Sequence, residues 1–264
     1  MAKKGARLGQ HFLKNPHYAE VLVREAGITS EDTVLEIGPG EGMLTREILK
    51  AAKRVIIVEK DELLAEKLHE TFAADIADGK LKVITADIRD VSPEDVGLEA
   101  GKYVLAANIP YYITGELLRK FLEAPAQPRT IAFLMQKEVA DRILARDGKE
   151  SILSISVKAY GKPRIAAKVT KGNFNPPPSV DSAILVVENI SKENFVDSSE
   201  KDFFRAVRAG FSSKRKLLES NLAKEFGREI VQRVVMSAHL PQKTRAEDTS
   251  LEQWKKVTNG LSQS

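Results

Sequence analysis

The chain has 264 residues, enough to bury a substantial core as one large domain and one small one. Hydrophobic residues at 42% and charged residues at 30% describe a globular chain, and zero cysteines exclude disulfides, thiolate metal sites and a cysteine nucleophile. The net charge of +4 is unevenly spread: residues 1–16 carry Lys3, Lys4, Arg7 and Lys14 and no acid, residues 17–190 carry 23 basic and 27 acidic side chains, and residues 191–264 carry 14 and 10.

A mildly acidic middle between two basic ends points to a polyanionic partner bound by the ends. No run of about 18 apolar residues predicts a membrane-spanning helix, and the basic N-terminus lacks the apolar stretch of a signal peptide. The cytoplasm is the expected compartment, with no membrane partner. The histidines His11, His17, His69 and His239 have no metal-ligand spacing, so no metal is expected.

In chain order, residues 1–16 read as a basic N-terminal arm and 17–27 as a helix closed by Gly27. An alternation follows. Strand Thr33–Ile37 leads through a Gly-rich turn to helix Leu44–Ala52, then to strand Arg54–Glu59 and helix Asp61–Phe72. Strands Leu81–Thr85 and Tyr103–Ala107, a helix near Glu116–Glu123, strand Thr130–Met135 and helix Lys137–Ala145 complete it. Strands alternating with helices predict a parallel sheet covered on both faces. Beyond Ser151 a helix, Ile152–Tyr160, precedes strands Arg164–Val169 and Ser182–Glu188 around the loop N-F-N-P-P-P-S-V, an antiparallel addition at the sheet edge. Residues 191–199 read as a linker, and the tail as helices Glu200–Gly210, Lys214–Phe226, Arg228–Ser237 and Leu251–Thr258. The expected domains are 17–190, α/β, and 191–264, all helical.

E-I-G-P-G-E-G, Glu36 to Gly42, joins a strand to a helix. Glycines there, Gly38 and Gly40 among them, let the backbone turn sharply and approach a ligand near helix N–H groups. The dinucleotide fingerprint is not met, because the sixth position from Gly38 is Met43. Glu59 ends the next strand, where an acid can accept two ribose hydroxyls, and Asp87 repeats the position one strand further on, within reach of an adenine amine. Together with Asn108 they line the carboxyl edge of four strands, where open parallel sheets bind ligands. The expected occupant is S-adenosylmethionine, with another nucleotide as the alternative.

N-I-P-Y, Asn108 to Tyr111, follows the fourth strand. An adenine amine is a poor nucleophile because its lone pair is delocalised into the ring. The amide oxygen of Asn108 and a backbone carbonyl near Ile109 or Pro110 can accept its two hydrogens and so favour the pyramidal nitrogen of the transition state. Pro110 stiffens the loop, Tyr111 is placed to stack on the ring, and Phe174 is a candidate second aromatic wall, with core packing as its alternative. G-Q-H-F-L, Gly9 to Leu13, is read as a lid over the cofactor or as a helix lead-in.

Together with A-D-I, N-F-N-P-P-P-S-V-D-S-A and G-F-S-S-K-R-K, these segments resemble the KsgA (RsmA) family of ribosomal RNA adenine dimethyltransferases and its Erm relatives. They run in family order from residue 9 to about 258. The resemblance implies a Rossmann-like class I methyltransferase domain with a small C-terminal helical domain. It implies transfer of two methyl groups to N6 of each of two adjacent adenosines in the 3′-terminal hairpin of small-subunit (16S) rRNA, in an immature 30S particle, by a monomer. Cofactor contacts then fall at His11, Leu13, Gly38, Gly40, Glu59, Asp87 and Asn108, and target-base contacts at Asn108, Pro110, Tyr111 and Phe174. The sequence departs from many members at His11 and Tyr112, where asparagine is common. Arg205, Arg208, Lys214, Arg215 and Lys216 gather at one helix junction as candidate phosphate contacts. The alternatives are an Erm-like enzyme of large-subunit rRNA and a non-catalytic assembly or transcription factor; an intact Glu59, Asp87 and N-I-P-Y argue against the latter.

Overall fold

The structure is a computed structural model that describes residues 11–195 and 198–263, apart from the side chain of Tyr111. Lys3, Lys4 and Arg7 of the basic arm, and Gly9 and Gln10 before His11, therefore lie outside the described residues. The chain forms two compact units, one running to Ala140 and resuming at Pro163–Ile190, the other made of Asp141–Lys162 and the segment from Ser191 onward.

In the first unit the strands are β1 (Phe12–Leu13), β2 (Thr33–Ile37), β3 (Arg54–Glu59), β4 (Leu81–Thr85), β5 (Tyr103–Asn108), β6 (Thr130–Gln136), β7 (Lys162–Val169), β8 (Phe174–Asn175) and β9 (Ser182–Glu188). The helices are α1 (Pro16–Glu25), α2 (Met43–Ala51), α3 (Glu62–Thr71), α4 (Ala73–Ala77) and α5 (Thr114–Glu123), and α6 (Lys137–Leu144) crosses the division at Ala140. Seven strands form one sheet in the order β4-β3-β2-β5-β6-β9-β7. The first five are parallel, and β9 runs antiparallel to β6. Tyr103–Ala107 of β5 is wholly buried, as a central strand covered on both faces must be.

The chain builds outward from β2 to β4 and then returns to place β5 beside β2. That reversal opens a crevice at the carboxyl ends of β2 and β5, where doubly wound sheets place their ligands. The turn after β2, Glu59, Asp87 and Asn108 all lie at this edge, as their strand-end positions predicted.

The helical unit contains α7 (Ile152–Tyr160), α8 (Glu200–Gly210), α9 (Leu218–Phe226), α10 (Arg228–Ser237) and α11 (Leu251–Ser262). The two units divide after Ile190, where the sequence places the boundary, but residues 141–162 group with the helical unit rather than with the sheet. The cause is packing: the Tyr160 ring lies 5.1 Å from Phe195 and 5.7 Å from Phe204, and Glu150 N–H donates to Glu247 O at 2.7 Å. Helix α9 starts at Leu218 rather than at Lys214. Three successive cations, Lys214 to Lys216, oppose the positive end of a helix dipole, and Asn221 Nδ2 instead pins the preceding turn through Gly210 O and Ser213 O at 2.7 and 2.9 Å. Among the described residues no helix is long and apolar enough to cross a membrane.

Candidate active site

A cavity of about 460 Å³ opens at the carboxyl edge of the sheet, within the size range of small-molecule sites. Its wall takes Gly38 and Gly40 from the turn after β2, Glu59 from β3, Asp87 after β4, and Asn108 and Pro110 after β5. Gly38 N–H donates to Val58 O at 2.9 Å and ties the turn to β3. Gly40 has φ 59°, and a Cβ there would stand 2.8 Å from the Phe12 ring. The turn thus meets Phe12 as bare backbone, a close approach that only glycine permits.

Glu59 is 3% exposed. Its Oε2 accepts Gly40 N–H at 3.2 Å and its Oε1 accepts Asp61 N–H at 2.9 Å. Burial raises its pKa, and these backbone donors partly offset the effect. Each oxygen keeps a lone pair, so the carboxylate can take the two hydroxyls of a ribose.

Asp87 stands in a different setting from the one expected. Its Oδ2 accepts Lys60 Nζ at 2.8 Å and the Arg89 guanidinium at 2.5 Å, while Oδ1 accepts Arg89 N–H at 3.0 Å. The Arg89 guanidinium, with Lys60 beside it, holds the carboxyl far below the usual carboxylate range. As an adenine-amine acceptor Asp87 must therefore exchange a cation for the ligand. Lys60 and Arg89 have no signature in the sequence that distinguishes them from surface cations.

Asn108 closes β5, and Ile109 N–H continues the ladder to Leu134 O at 3.0 Å, so the chain leaves the sheet only at Pro110. Asn108 Nδ2 donates to His11 O at 3.0 Å. With its nitrogen committed, the amide presents Oδ1 as the acceptor. Residues Tyr111–Ile113 form a 3-10 turn; the side chain of Tyr111, the expected stacking ring, lies outside the described residues. Tyr112 is on the cavity wall and 72% exposed.

The lid expected over Gly9–Leu13 takes, in its described part, the form of a strand. Phe12 pairs with Asn175 and Leu13 with Phe174 in an antiparallel bridge. His11 Nδ1 is hydrogen-bonded to Pro176 O at 2.8 Å, and Lys14 N–H donates to Asn173 O at 2.8 Å. His11 and Phe12 line the cavity. Two expected contacts do not. Phe174 is 1% exposed within the hydrophobic core, so its packing role prevails over the aromatic wall. Leu13 is buried in the same core and faces a second, smaller cavity of about 30 Å³ behind the glycine turn. Paired β1 and β8 turn both side chains inward.

Glu36 was passed over in the sequence although it heads the glycine motif. It is 1% exposed, lines that smaller cavity with Gly38, Gly40 and Asn108, and its Oε2 accepts Thr45 Oγ1–H at 2.7 Å. Burial pushes its carboxyl up to about 8, with the Thr45 hydrogen bond opposing and Glu59 adding to the shift. Among the described residues no cluster of three or more His, Cys, Asp or Glu side chains suits a metal.

In the helical unit Arg208, Lys214, Arg215 and Lys216 are exposed, without ion-pair partners among the described residues. Arg205 differs. Its Nε donates to Glu225 Oε1 at 2.8 Å and its guanidinium lies 4.9 Å over the Phe226 ring.

A parallel sheet with a glycine turn, a ribose-competent acid and an amide acceptor along one edge defines a class I S-adenosylmethionine-dependent methyltransferase. The bare-backbone cradle at Gly40, buried Glu59 and a cavity of sufficient size fit that cofactor. The family model for ribosomal RNA adenine dimethylase matches residues 1–263, and the chain belongs to that family. A ribosomal RNA small subunit methyltransferase A of Dehalococcoides mccartyi is 40% identical over 258 residues, covering 97% of this chain and 87% of the relative. The protein of the same name in Bacillus mycoides is 35% identical over 264 residues, covering 96% and 90%. The 23S rRNA methyltransferase ErmE superposes with a TM-score of 0.76 at 25% identity, covering 95% of this chain and 99% of that one. A dimethyladenosine transferase of Plasmodium falciparum gives 0.75 at 26%, covering 94% and 96%. The chain is an S-adenosylmethionine-dependent rRNA adenine methyltransferase.

Proposed function

We propose that this enzyme places two methyl groups on N6 of each of two adjacent adenosines in the 3′-terminal hairpin of small-subunit rRNA, acting in the cytoplasm as a monomer on an immature 30S particle. One observation supports the assignment of the acceptor: Asn108 lines the cavity with its amide nitrogen held by His11 O, which leaves its oxygen as the group to accept from the amine. The cofactor, held by the glycine turn, Glu59 and, after cation exchange, Asp87, supplies an electrophilic methyl group.

Asn108 Oδ1 and a backbone carbonyl of the Ile109–Pro110 segment accept the two amine hydrogens. Those bonds strengthen as the nitrogen becomes pyramidal and its lone pair leaves the ring, so they act on the transition state rather than on binding. The alkylated amine is acidic and loses its proton to water without a strong protein base. Tyr111 is assigned the base-stacking role, and the target must be flipped from its stack to reach the edge. Exposed Arg208, Lys214, Arg215 and Lys216 are assigned to the phosphate backbone; Arg205, already paired, is assigned a structural role in α8 and α9.

The small-subunit reading is supported by relatives at 35–40% identity with small-subunit names, against 25% for ErmE. Labelled methyl transfer to small and large subunits from cells lacking this gene tests it, with mass spectrometry locating dimethyladenosine. Label in two adjacent small-subunit adenosines is expected. Label in large-subunit rRNA would move the enzyme to the Erm-like activity.

A further inference from the structure

Large apolar side chains stand exposed at few places on the described surface, and two of these are on the rim of the cavity: Leu63 at 60% and Tyr112 at 72%. A single exposed apolar residue needs no explanation. Two around one ligand mouth, one of them an aromatic ring four residues beyond the amide acceptor Asn108, call for one. Among the described residues Tyr112 has no hydrogen-bond or ring partner, so neither folding nor a network accounts for its position. Asp61 and Glu62 adjoin Leu63 on this wall, and its cations, Lys60 and Arg89, are already bonded to Asp87, so the rim is a poor seat for phosphate. A flat, uncharged face suits it better.

The ring is also too exposed to form the inner wall of the target-base pocket. A base laid on it would sit outside the cavity, beside one that has entered. We propose that Tyr112 is a stacking platform for the nucleobase next to the flipped adenosine, which holds the strand at the cavity mouth while the target occupies the site. This rests on the methyl-transfer function proposed above. It makes Tyr112 an RNA-binding residue whose loss acts on substrate capture, and it adds a contact to the base flanking each target. Stacking of a base on an aromatic side chain corresponds to roughly 5- to 150-fold in affinity.

The test uses the full-length protein and small subunits lacking the modification, and measures methyl-transfer kcat and KM with S-adenosylmethionine affinity by calorimetry. Tyr112→Ala is expected to raise KM for the subunit about tenfold or more, with kcat, cofactor Kd and melting temperature near wild type, and Tyr112→Phe to restore KM. A hairpin with an abasic site next to the target should weaken the wild-type enzyme and leave Tyr112→Ala no weaker still. An unchanged KM, a fall in cofactor affinity or in melting temperature that accounts for the loss, or failure of Tyr112→Phe to restore KM would overturn the platform. Absence of any transfer by the wild-type enzyme would instead overturn the function on which it rests.

Discussion

Asn108 Nδ2 donates to the main-chain carbonyl of His11 across 3.0 Å, so the end of β5 is fastened to the segment that pairs, through Phe12 and Leu13, with Phe174 and Asn175. Three sequence motifs far apart in the chain are joined by this bond and the β1–β8 bridge, and two of them, around His11 and Asn108, line the cavity. The bond also removes the ambiguity of an amide: with nitrogen bound to a carbonyl, oxygen is left for the substrate amine.

Asn108→Ala is therefore expected to reduce kcat for methyl transfer about 100- to 1,000-fold, the cost of losing one preorganised acceptor aimed at the transition state, with subunit affinity nearly unchanged. Asn108→Asp should be no better, because a carboxylate oxygen would face the His11 carbonyl. Single-turnover transfer and direct RNA binding, measured side by side, decide this; equal losses in both would remove Asn108 from the chemical step.

Gly40→Ala adds a Cβ 2.8 Å from the Phe12 ring at a backbone φ of 59°, whereas Gly38→Ala, at φ 61°, meets no atom within 4 Å. Left-handed strain of about 1–2 kcal/mol applies to both. Only Gly40→Ala also pushes Phe12 from the cavity wall. Calorimetric titration with S-adenosylmethionine should show the larger loss of affinity, about tenfold or more, for Gly40→Ala. Equal losses would show that backbone strain alone matters.

The sheet and its acid-bearing edge were legible because the strands are continuous apolar runs and each functional acid or amide ends one. Phe174 was not. Its neighbours in N-F-N-P-P-P are loop formers, and only the pairing of Leu13 with Phe174 shows that this loop contains a buried strand. Asp87 was located by its strand, but the contacts that define its charge come from Lys60 and Arg89, whose side chains converge only after folding. Helix α7 was legible as a helix; its partners Phe195 and Phe204 lie more than thirty positions on, so its domain was not.

Glu36 gives the apoprotein a pH-dependent stability. Unfolded, the carboxyl ionises near 4.5, and in the fold near 8. Below 4.5 both states are protonated and the group costs nothing. As pH rises from about 4.5 to about 8 the unfolded state gains by ionising while the buried carboxyl stays protonated, so stability falls by a few kcal/mol at most. Around it stand Glu59, Glu41, Tyr18 and Thr45, and among the described residues no cation lines its cavity. Melting temperature should decline from pH 5 to pH 8, and Glu36→Gln should flatten much of that decline; Glu59, raised in the same direction, keeps the remainder. An identical profile for Glu36→Gln and wild type would exclude Glu36 as its source.

The basic junction of the helical unit separates into groups with different work. Lys214 and Arg215 are exposed cations without partners among the described residues, whereas Arg205 is bound to Glu225 at 2.8 Å and stacked on Phe226. A cation that neutralises a phosphate releases a counterion, so Lys214→Ala and Arg215→Ala should each weaken RNA binding and make the log–log salt slope shallower by about 0.7–0.9. Arg205→Ala should leave the slope unchanged and lower the melting temperature through loss of its exposed ion pair and ring contact, about 1 kcal/mol together. Binding measured from low to moderate salt distinguishes them. A shallower slope for Arg205→Ala would mean that it leaves Glu225 for the RNA, and an unchanged slope for Lys214→Ala and Arg215→Ala would move the RNA contact to another surface.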